Sequence, residues 1–199
     1  MRTSREEAAR TRARIVRSAA ALFKRDGIHA TGLAGLMADA GLTHGGFYGH
    51  FESKEQLVAE ACELAFAESL ERIVEIAAAA PPSRRLRTFV EEYLSDSHRD
   101  NAKAGCGFAA LGAELGRADV ATREATTRAF ENFAGTIATF LPDAAPAAKA
   151  EAARAIAATL VGALTIARSV SDDAVSGSVL ESARKSALAQ ARTLAARTR

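Results

Sequence analysis

Residues 31–51, TGLAGLMADAGLTHGGFYGHF, have the pattern of two short helices joined by a tight turn. Apolar residues recur at helical spacing from Leu33 to Met37, which predicts one buried face. Gly41 can adopt the left-handed conformation that ends a helix, and Thr31 and Thr43 stand where hydroxyls can cap the two helices. Such a pair forms a helix-turn-helix unit, whose second helix can enter the DNA major groove, although small helical hairpins also occur in all-α cores.

The second helix of this hairpin is expected over residues 44–50, with one inward and one outward face. Phe47 and Phe51 lie four residues apart and are predicted to face the core together. The outward face carries His44, Tyr48 and three glycines. Glycine in a helix costs about 1 kcal/mol relative to alanine. We therefore expect a close approach of the backbone to its target and a helix that orders fully only on binding.

The flanking sequence extends this pattern over the first third of the chain. A helix is predicted from Arg5 to Arg25, with Ser4 and Glu7 as a capping box and Gly27 as its stop. The stretch from residue 12 to residue 57 resembles the tetracycline-repressor (TetR) family of bacterial transcription regulators. The motifs that carry the resemblance are Phe23, Gly27, Ala30-Thr31, Ala40-Gly41, Gly45, Phe47-Tyr48, His50-Phe51 and Ser53-Lys54-Glu55.

The resemblance implies a DNA-binding site. Five of its positions contact the DNA backbone in the family, and here they carry hydroxyl, imidazole or ammonium groups that can donate to phosphate oxygens. Among the base-reading positions, only His44 has a side chain able to hydrogen-bond a base edge, so DNA shape or flanking arginines should contribute to specificity. The DNA-binding residues implied are Thr31, Thr43, His44, Gly45, Gly46, Tyr48, His50 and Lys54.

Composition limits the class of protein. The 199 residues are 48% hydrophobic and 25% charged, with alanine abundant, four prolines and no tryptophan, which favours a globular all-α fold. Residues 1–51 carry a net charge of +4 and the remainder −2, as phosphate binding at one end requires, although a solvated helix face explains the same charges. We find no apolar run of membrane-spanning length, no signal peptide, and no cofactor or metal motif, and two cysteines without metal spacing fit a reducing cytoplasm.

The rest of the chain predicts further helices, about nine in all. We expect a helix-turn-helix domain over residues 1–56 and a ligand-binding and dimerisation domain over residues 57–199. Ser53 should cap a helix over residues 54–80 that links the two domains. Lys54 in its first turn opposes the helix dipole, and a DNA phosphate bound there would account for this unfavourable position. Further expected features are caps at Ser83 and Asp119, a loop over residues 96–104, a helix beginning at Gly105, and a helix pair over residues 147–169 and 178–196. This pair is read as the homodimer interface, the alternative being a hairpin within one chain.

The C-terminal part is expected, by resemblance, to bind a small-molecule effector that shifts the long helix and spreads two reading heads. The candidate ligand-binding residues are Phe66, Phe89, Tyr93, Cys106, Phe108, Phe130 and Phe133, and each aromatic is more simply explained as core. Cys106 stands between two glycines at a predicted helix start, where the helix dipole lowers a thiol pKa, with Lys103 nearby. It is therefore either a thiol that senses oxidants or electrophiles, or a small buried residue.

The resulting prediction is a cytoplasmic, homodimeric repressor that is not an enzyme. It binds a near-palindromic operator and is released by a small-molecule or thiol-reactive effector. One alternative is a sequence-tolerant DNA-binding protein without an effector. Another is a helical enzyme or carrier, against which the sequence shows no nucleophile–base pair, metal cluster or phosphate loop. The carboxylates Glu63, Glu68 and Glu71 are more simply a solvated helix face.

Overall fold

The computed structural model describes residues 5–101 and 105–197, and every regular element in that part is helical. Two 3₁₀ helices, His44–Gly49 and Pro82–Arg84, accompany the α-helices. The expected all-α class is confirmed; Ser4, half of the predicted capping box, lies outside the described residues. The α-helices in the described part are α1 (Arg5–Asp26), α2 (Leu33–Asp39), α3 (Lys54–Ala79), α4 (Arg85–Tyr93), α5 (Asp96–Asp100), α6 (Gly107–Leu115), α7 (Val120–Phe140), α8 (Pro146–Ser169) and α9 (Asp173–Arg197).

Two glycines end the first two helices as the sequence predicts. Gly27 has φ +88° and Gly41 has φ +69°, conformations that strain any residue with a Cβ. At the end of α2, the Leu42 N–H donates to the Met37 carbonyl at 2.8 Å and the Gly41 N–H to the Ala38 carbonyl at 2.9 Å. This pair of bonds is a Schellman motif, so the turn of the hairpin is fixed by backbone geometry.

Two of the predicted caps are present. The Ser53 hydroxyl accepts the Gln56 N–H at 3.1 Å and begins α3. The Asp119 carboxylate accepts the Thr122 N–H at 2.9 Å and begins α7. Both satisfy backbone donors that the first turn of a helix leaves open.

Two other predicted caps, Thr31 and Ser83, are wrong, and a third, Thr43, has the predicted position without the hydrogen bond. The N-cap of α2 is Gly32, because the Thr31 hydroxyl turns back and donates to the Gly27 carbonyl at 2.7 Å. Thr43 stands at the cap position of the second hairpin helix, but its side chain makes no capping hydrogen bond. Ser83 lies inside a 3₁₀ helix rather than in front of α4.

The predicted loop over residues 96–104 is partly helical. Residues Asp96–Asp100 form α5, since the Ser95 hydroxyl accepts the His98 N–H at 3.2 Å and caps this short turn. The helix expected from Gly105 begins two residues later, at Gly107. Capping by Ser95, which lies just before the predicted loop, explains why its first five residues are helical.

The described residues form two hydrophobic cores that share one helix. The first core packs α1, α2 and the 3₁₀ helix against the start of α3 and against Leu111 and Leu115 of α6. The second packs the end of α3 against α4, α7, α8 and α9. The 26 residues of α3 span about 39 Å at 1.5 Å per residue. This helix therefore runs from one core into the other, as expected of a mechanical link.

The last two helices, α8 and α9, pack against each other along their length. Among the described residues, α8 is long and apolar enough to cross a membrane by length and composition, which the sequence reading had not expected. Its inner face, including Ile156, Leu160 and Leu164, is buried in the second core. A core helix of this kind passes the same length and composition test.

Candidate nucleic-acid interface and effector region

The second hairpin helix is a 3₁₀ helix over His44–Gly49 rather than the expected α-helix. Its inner side is firmly packed: Phe47 is fully buried, and its ring stacks on Phe51 with centroids 5.4 Å apart. Three glycines in six residues leave little to favour α-helical geometry, and a tighter helix is common in short segments. Two aromatic residues thus anchor the inner side of the segment in the core, and its three glycines account for the 3₁₀ backbone.

The outer side of this segment is an exposed polar face. Thr43, His44 and Tyr48 are exposed, Tyr48 to 69%, and their side chains make no hydrogen bond with the described residues. His50, at the end of the segment, is half-buried. Hydroxyl, phenol and imidazole groups that are exposed and unbonded can donate to phosphate oxygens or to base edges. The structure therefore brings these predicted residues together on one surface.

The glycines of this face are not required by the fold of the free chain. A Cβ built on Gly45 or Gly49 would meet no atom within 4 Å, and one on Gly46 would lie 3.8 Å from Met37 Cε. All three have ordinary negative φ. Their use is therefore not explained by packing within the protein.

Two predicted phosphate contacts, Thr31 and Lys54, are engaged inside the molecule. Thr31 is 6% exposed and its hydroxyl is bonded to Gly27. The Lys54 ammonium donates to the Thr31 carbonyl at 2.9 Å and to the Ile28 carbonyl at 3.4 Å. These carbonyls give a structural reason for a lysine at the start of α3, where the helix dipole opposes it.

Arg12 joins three elements beneath the exposed face. It forms a two-pronged ion pair with Glu60 of α3, its Nε donates to the His50 carbonyl at 3.2 Å, and its guanidinium lies 4.4 Å above the Phe51 ring. The hydrogen bond to Glu60 raises the pKa of Arg12, against a smaller opposing effect of burial. Arg12, one of the basic residues at this end, thus fixes the 3₁₀ segment relative to α1 and α3.

Glu114 of α6 makes a contact with the turn between α1 and α2 that the sequence did not predict. Its carboxylate accepts the N–H of His29 at 2.9 Å and of Ile28 at 3.1 Å, and lies 2.7 Å from the His29 ring nitrogen. Burial would raise the pKa of Glu114, but these hydrogen bonds outweigh it and lower the pKa. A Cβ at Gly27 would lie 2.7 Å from this carboxylate, so the α1–α2 turn is shaped to receive it. The only local signal was an acid near the end of a short helix.

A groove of about 670 Å³ lies between α3 and α7. Its floor is apolar and includes Phe66 and Phe133, and its rim carries Glu63, Glu71 and Arg128. Arg128 crosses the groove and pairs with Glu63 at 2.8 Å. The size and the mixture of an apolar floor with few polar groups suit a small organic ligand.

The six predicted ligand-binding aromatics form one connected cluster of ring contacts, and three of them line a groove. Phe108 stacks on Phe66 at 4.1 Å and lines a second groove, of about 530 Å³, between α6 and α7. Phe89 and Tyr93 are buried in the second core, and Phe130 packs against its edge. The core interpretation therefore holds for these three, whereas Phe66, Phe108 and Phe133 line grooves.

Cys106 is buried, and its pKa does not move in the expected direction. It is 1% exposed at the start of α6. Burial raises the pKa of its thiol and outweighs the Tyr93 hydroxyl, the backbone N–H groups of α6 and the charge of Arg168, which lower it. The expected lowering by the helix dipole is wrong because desolvation is the larger effect. Cys62 is likewise buried, and desolvation raises its pKa to about 12.

Among the described residues, no group of three or more histidine, cysteine, aspartate or glutamate side chains is placed to hold a metal ion.

Comparison with known proteins gives two family matches. A model described as bacterial regulatory proteins, tetR family, matches residues 15–61, which include the hairpin and the start of α3. A second, described as the tetracyclin repressor-like C-terminal domain, matches residues 82–183. A curated relative is the uncharacterized HTH-type transcriptional regulator YerO of Bacillus subtilis, 33% identical over 92 residues. That match covers 44% of this chain and about a third (32%) of the relative's length.

Solved structures share the fold over nearly the whole chain. A TetR-family regulator from Cytophaga hutchinsonii has a TM-score of 0.77 at 21% identity, covering 94% of this chain and 96% of its own. The reduced form of E. coli NemR has a TM-score of 0.73 at 20% identity, covering 89% and 95%. A TetR regulator from Chloroflexus aurantiacus has a TM-score of 0.70 at 24% identity, covering 94% and 95%.

Proposed function

The chain belongs to the tetR family of bacterial regulatory proteins, and we propose that it is a cytoplasmic, homodimeric repressor of transcription, released from its operator by an effector. In this proposal residues 1–56 bind DNA and residues 57–199 bind the effector and the second subunit. The observation that carries the proposal is the hairpin whose Schellman turn at Gly41 is followed by an exposed, unbonded polar face.

The proposed DNA contacts are those of the exposed face. Thr43, Tyr48 and His50 donate to phosphates, and His44 reads a base edge in the major groove. Thr31 is left to its internal role, since its hydroxyl donates to Gly27, whereas the ammonium of half-buried Lys54 has a third N–H donor for a phosphate. The three glycines allow the backbone to approach the DNA closely.

The proposed effector site is the groove between α3 and α7. A ligand there contacts the middle of α3, whose first half belongs to the core of the reading end. A displacement of α3 would move that core, and a displacement of α6 would move the α1–α2 turn through Glu114. Two physical connections therefore lead from the effector region to the reading face.

The proposed dimer forms through α8 and α9. Outward positions of α8 carry small, uncharged residues, including Ala158, Gly162 and Thr165, and Ile166 is 52% exposed. Small residues allow close packing of helices in a four-helix bundle across a two-fold axis. Such a dimer would place two reading segments about 34–36 Å apart, on successive major grooves of a near-palindromic operator.

The test is binding of the full-length protein to DNA from upstream of its own gene. Fluorescence anisotropy at two salt concentrations would compare this duplex with a scrambled one. We expect a specificity ratio of about 10³ or more. Equal binding to both duplexes with a steep salt dependence would favour a sequence-tolerant DNA-binding protein. Absence of binding at low salt would favour a helical enzyme or carrier.

A thiol-reactive effector is a second form of the same proposal. It requires that Cys106 become accessible, because the thiol is buried and its pKa is raised. Release of the operator by diamide in the native protein but not in Cys106→Ser would support it. Equal release in both proteins, or none, would leave the α3–α7 groove as the effector site.

A further inference from the structure

The floor of the groove between α3 and α7 is built from two rows of side chains, each spaced four residues apart. Side chains at this spacing lie above one another on one face of a helix. Both rows are apolar and buried or half-buried, and their members are Phe66, Leu70 and Val74 on α3 and Ala125, Ala129 and Phe133 on α7. The floor therefore offers a continuous strip on which an elongated apolar group can lie.

Two further rows, again spaced by four residues, form the rims and carry all the charge of the lining. The rim on α3 consists of Glu63, Ala67, Glu71 and Glu75. The rim on α7 consists of Arg128, Asn132 and Thr136. All but half-buried Thr136 are exposed, so a ligand on the floor would meet these groups at the edge of the groove.

The charges of the two rims do not balance. Arg128 pairs with Glu63 at 2.8 Å and closes the groove at the first of the α3 carboxylates. Among the described residues, Glu71 and Glu75 form no ion pair or hydrogen bond. Facing them on α7 are only the uncharged Asn132 and Thr136. This half of the groove therefore carries two negative charges and no positive one.

The two unpaired carboxylates stand one turn apart on α3. Like charges at this spacing repel each other, by about 0.2–0.5 kcal/mol on an exposed helix. The sequence grouped Glu71 with Glu63 and Glu68 as one solvated face, but the structure separates them. Glu68 lies on a different face of α3, where it lines a smaller cavity with Arg72. A cation between Glu71 and Glu75 would relieve their repulsion.

The surroundings of the groove add negative rather than positive charge. Beyond the pair of Arg128 and Glu63 lies a third groove, of about 440 Å³, that is rich in acids. They are Glu55, Glu60, Asp119 and Glu124, of which only Glu60 has an arginine partner among the described residues. Arg154 of α8 is engaged by Glu131 of α7 at 2.9 Å. The electrostatic potential of this side of the molecule therefore favours a positively charged ligand.

We infer that the groove between α3 and α7 binds a primary amine in its protonated form, attached to an elongated apolar body. The ammonium donates to the carboxylates of Glu71 and Glu75, and its third N–H donates to the side-chain oxygen of Asn132, which has no other hydrogen bond among the described residues. The apolar body lies along the floor towards Phe66 and Phe133.

The dimensions of the groove suit such a ligand. From Glu63 to Glu75 the helix α3 advances by about 18 Å, at 1.5 Å per residue, which is longer than an octyl chain. Alanines at positions 67, 125 and 129 leave space that larger side chains would fill. The inference rests on the proposed function, because it takes this groove as the effector site and adds the chemical class of the effector.

The test compares three probes with the same apolar body: octylammonium, neutral octanol and anionic octanoate. Each is titrated calorimetrically into the full-length protein without DNA, at constant ionic strength. Octylammonium should bind about tenfold more tightly than octanol, because two exposed charge pairs are added. Octanoate should bind most weakly, because Glu71 and Glu75 repel it.

The double variant Glu71→Gln/Glu75→Gln should weaken octylammonium binding about tenfold and leave octanol binding unchanged. The matched control is Glu68→Gln/Glu151→Gln, which changes the net charge equally but lies outside the groove, and it should leave both affinities unchanged. The site variant removes a repulsion between like charges, so it should fold at least as stably as the native chain.

Equal binding of octylammonium and octanol, equal losses in the site and control variants, or no binding of octylammonium would overturn the inference. Tighter binding of putrescine, a dication with a short chain, would also overturn it, in favour of a polyamine site. Operator binding is measured in the same samples by anisotropy. Failure of octylammonium binding with intact operator recognition would leave the proposed regulator standing, whereas octylammonium binding without operator recognition would support the amine site and contradict the regulator.

Discussion

The carboxylate of Glu114, on α6, accepts the backbone N–H of His29 at 2.9 Å, although 85 residues separate the two in sequence. The same carboxylate accepts the Ile28 N–H, and so it caps the turn that leads into the DNA-reading hairpin. We predict that Glu114→Gln destabilises the protein by about 1–2 kcal/mol, because the amide loses the charge that strengthens these bonds. It should also reduce the effect of any effector on operator affinity.

Urea unfolding and anisotropy titrations with and without effector would measure these two effects. Glu151→Gln is the matched control, since Glu151 is exposed on α8. If Glu114→Gln and Glu151→Gln behaved alike in both assays, the contact would be without consequence.

The glycines of the reading face provide a second prediction. Gly45→Ala and Gly49→Ala should each stabilise the free protein by up to about 1 kcal/mol, since the fold has room for the methyl group and alanine favours a helix. The same substitutions should weaken operator binding if the backbone approaches the DNA. Gly135→Ala, in an open position of α7, should stabilise the protein and leave operator binding unchanged. Stability and affinity that rise together at positions 45 and 49 would contradict a close approach.

His44 is expected to carry sequence information. His44→Ala should lower affinity for the operator by about 1–3 kcal/mol, the usual range for a base contact, with little change for a scrambled duplex. Competition titrations with both duplexes would measure the difference. An equal loss for both duplexes would make His44 a phosphate contact instead.

Arg12 should matter for stability rather than for DNA contact. Arg12→Met removes the ion pair with Glu60, the bond to the His50 carbonyl and the contact with the Phe51 ring. We expect a loss of about 1–3 kcal/mol of unfolding free energy, and a double-mutant cycle with Glu60→Gln should show coupling between the two residues. Additive effects in the cycle would show that the ion pair contributes nothing of its own.

His98 predicts a pH dependence of stability with a definite sign. Burial lowers the pKa of folded His98, so the unfolded chain takes up a proton near its ordinary pKa of about 6.5 before the folded chain does. His98 therefore contributes stability above that pH, and the contribution is lost as pH falls towards the folded pKa. Unfolding free energies measured between pH 7.5 and 5.5 should decline more steeply for the native chain than for His98→Gln. Identical slopes would show that His98 does not titrate in this way.

Local sequence signals predicted the framework of this fold well. Gly27 and Gly41 stop their helices because left-handed conformations are readily available only to glycine, and Ser53 and Asp119 cap theirs within three residues. Where two local outcomes compete, the sequence was less informative. The Thr31 hydroxyl can cap α2 or bond back to Gly27, and only the packed structure selects the second.

The long-range contacts of the candidate site could not be predicted. Lys54 has the chemistry of a phosphate ligand, and no pattern in the sequence shows that its ammonium donates a hydrogen bond to the Thr31 carbonyl. Cys106 has a helix start that lowers a thiol pKa and a burial that raises it, and burial depends on residues distant in sequence. The pairing of Glu114 with His29 depends in the same way on how α6 docks.

Because α3 passes through both cores, the proposed DNA-binding region over residues 1–56 is not an independent unit that relatives could exchange. A head excised at residue 56 would lack Leu57, Ala61 and Ala65, which complete its core, and would have no α6 to supply Leu115. Such a fragment should be poorly folded, and a chimera that exchanges only those residues would join mismatched surfaces. A functional exchange with a relative would place its junction after Phe66 and carry the matching face of α6 with it. In this chain, new DNA specificity is therefore more easily gained by substitution on the exposed face than by recombination of domains.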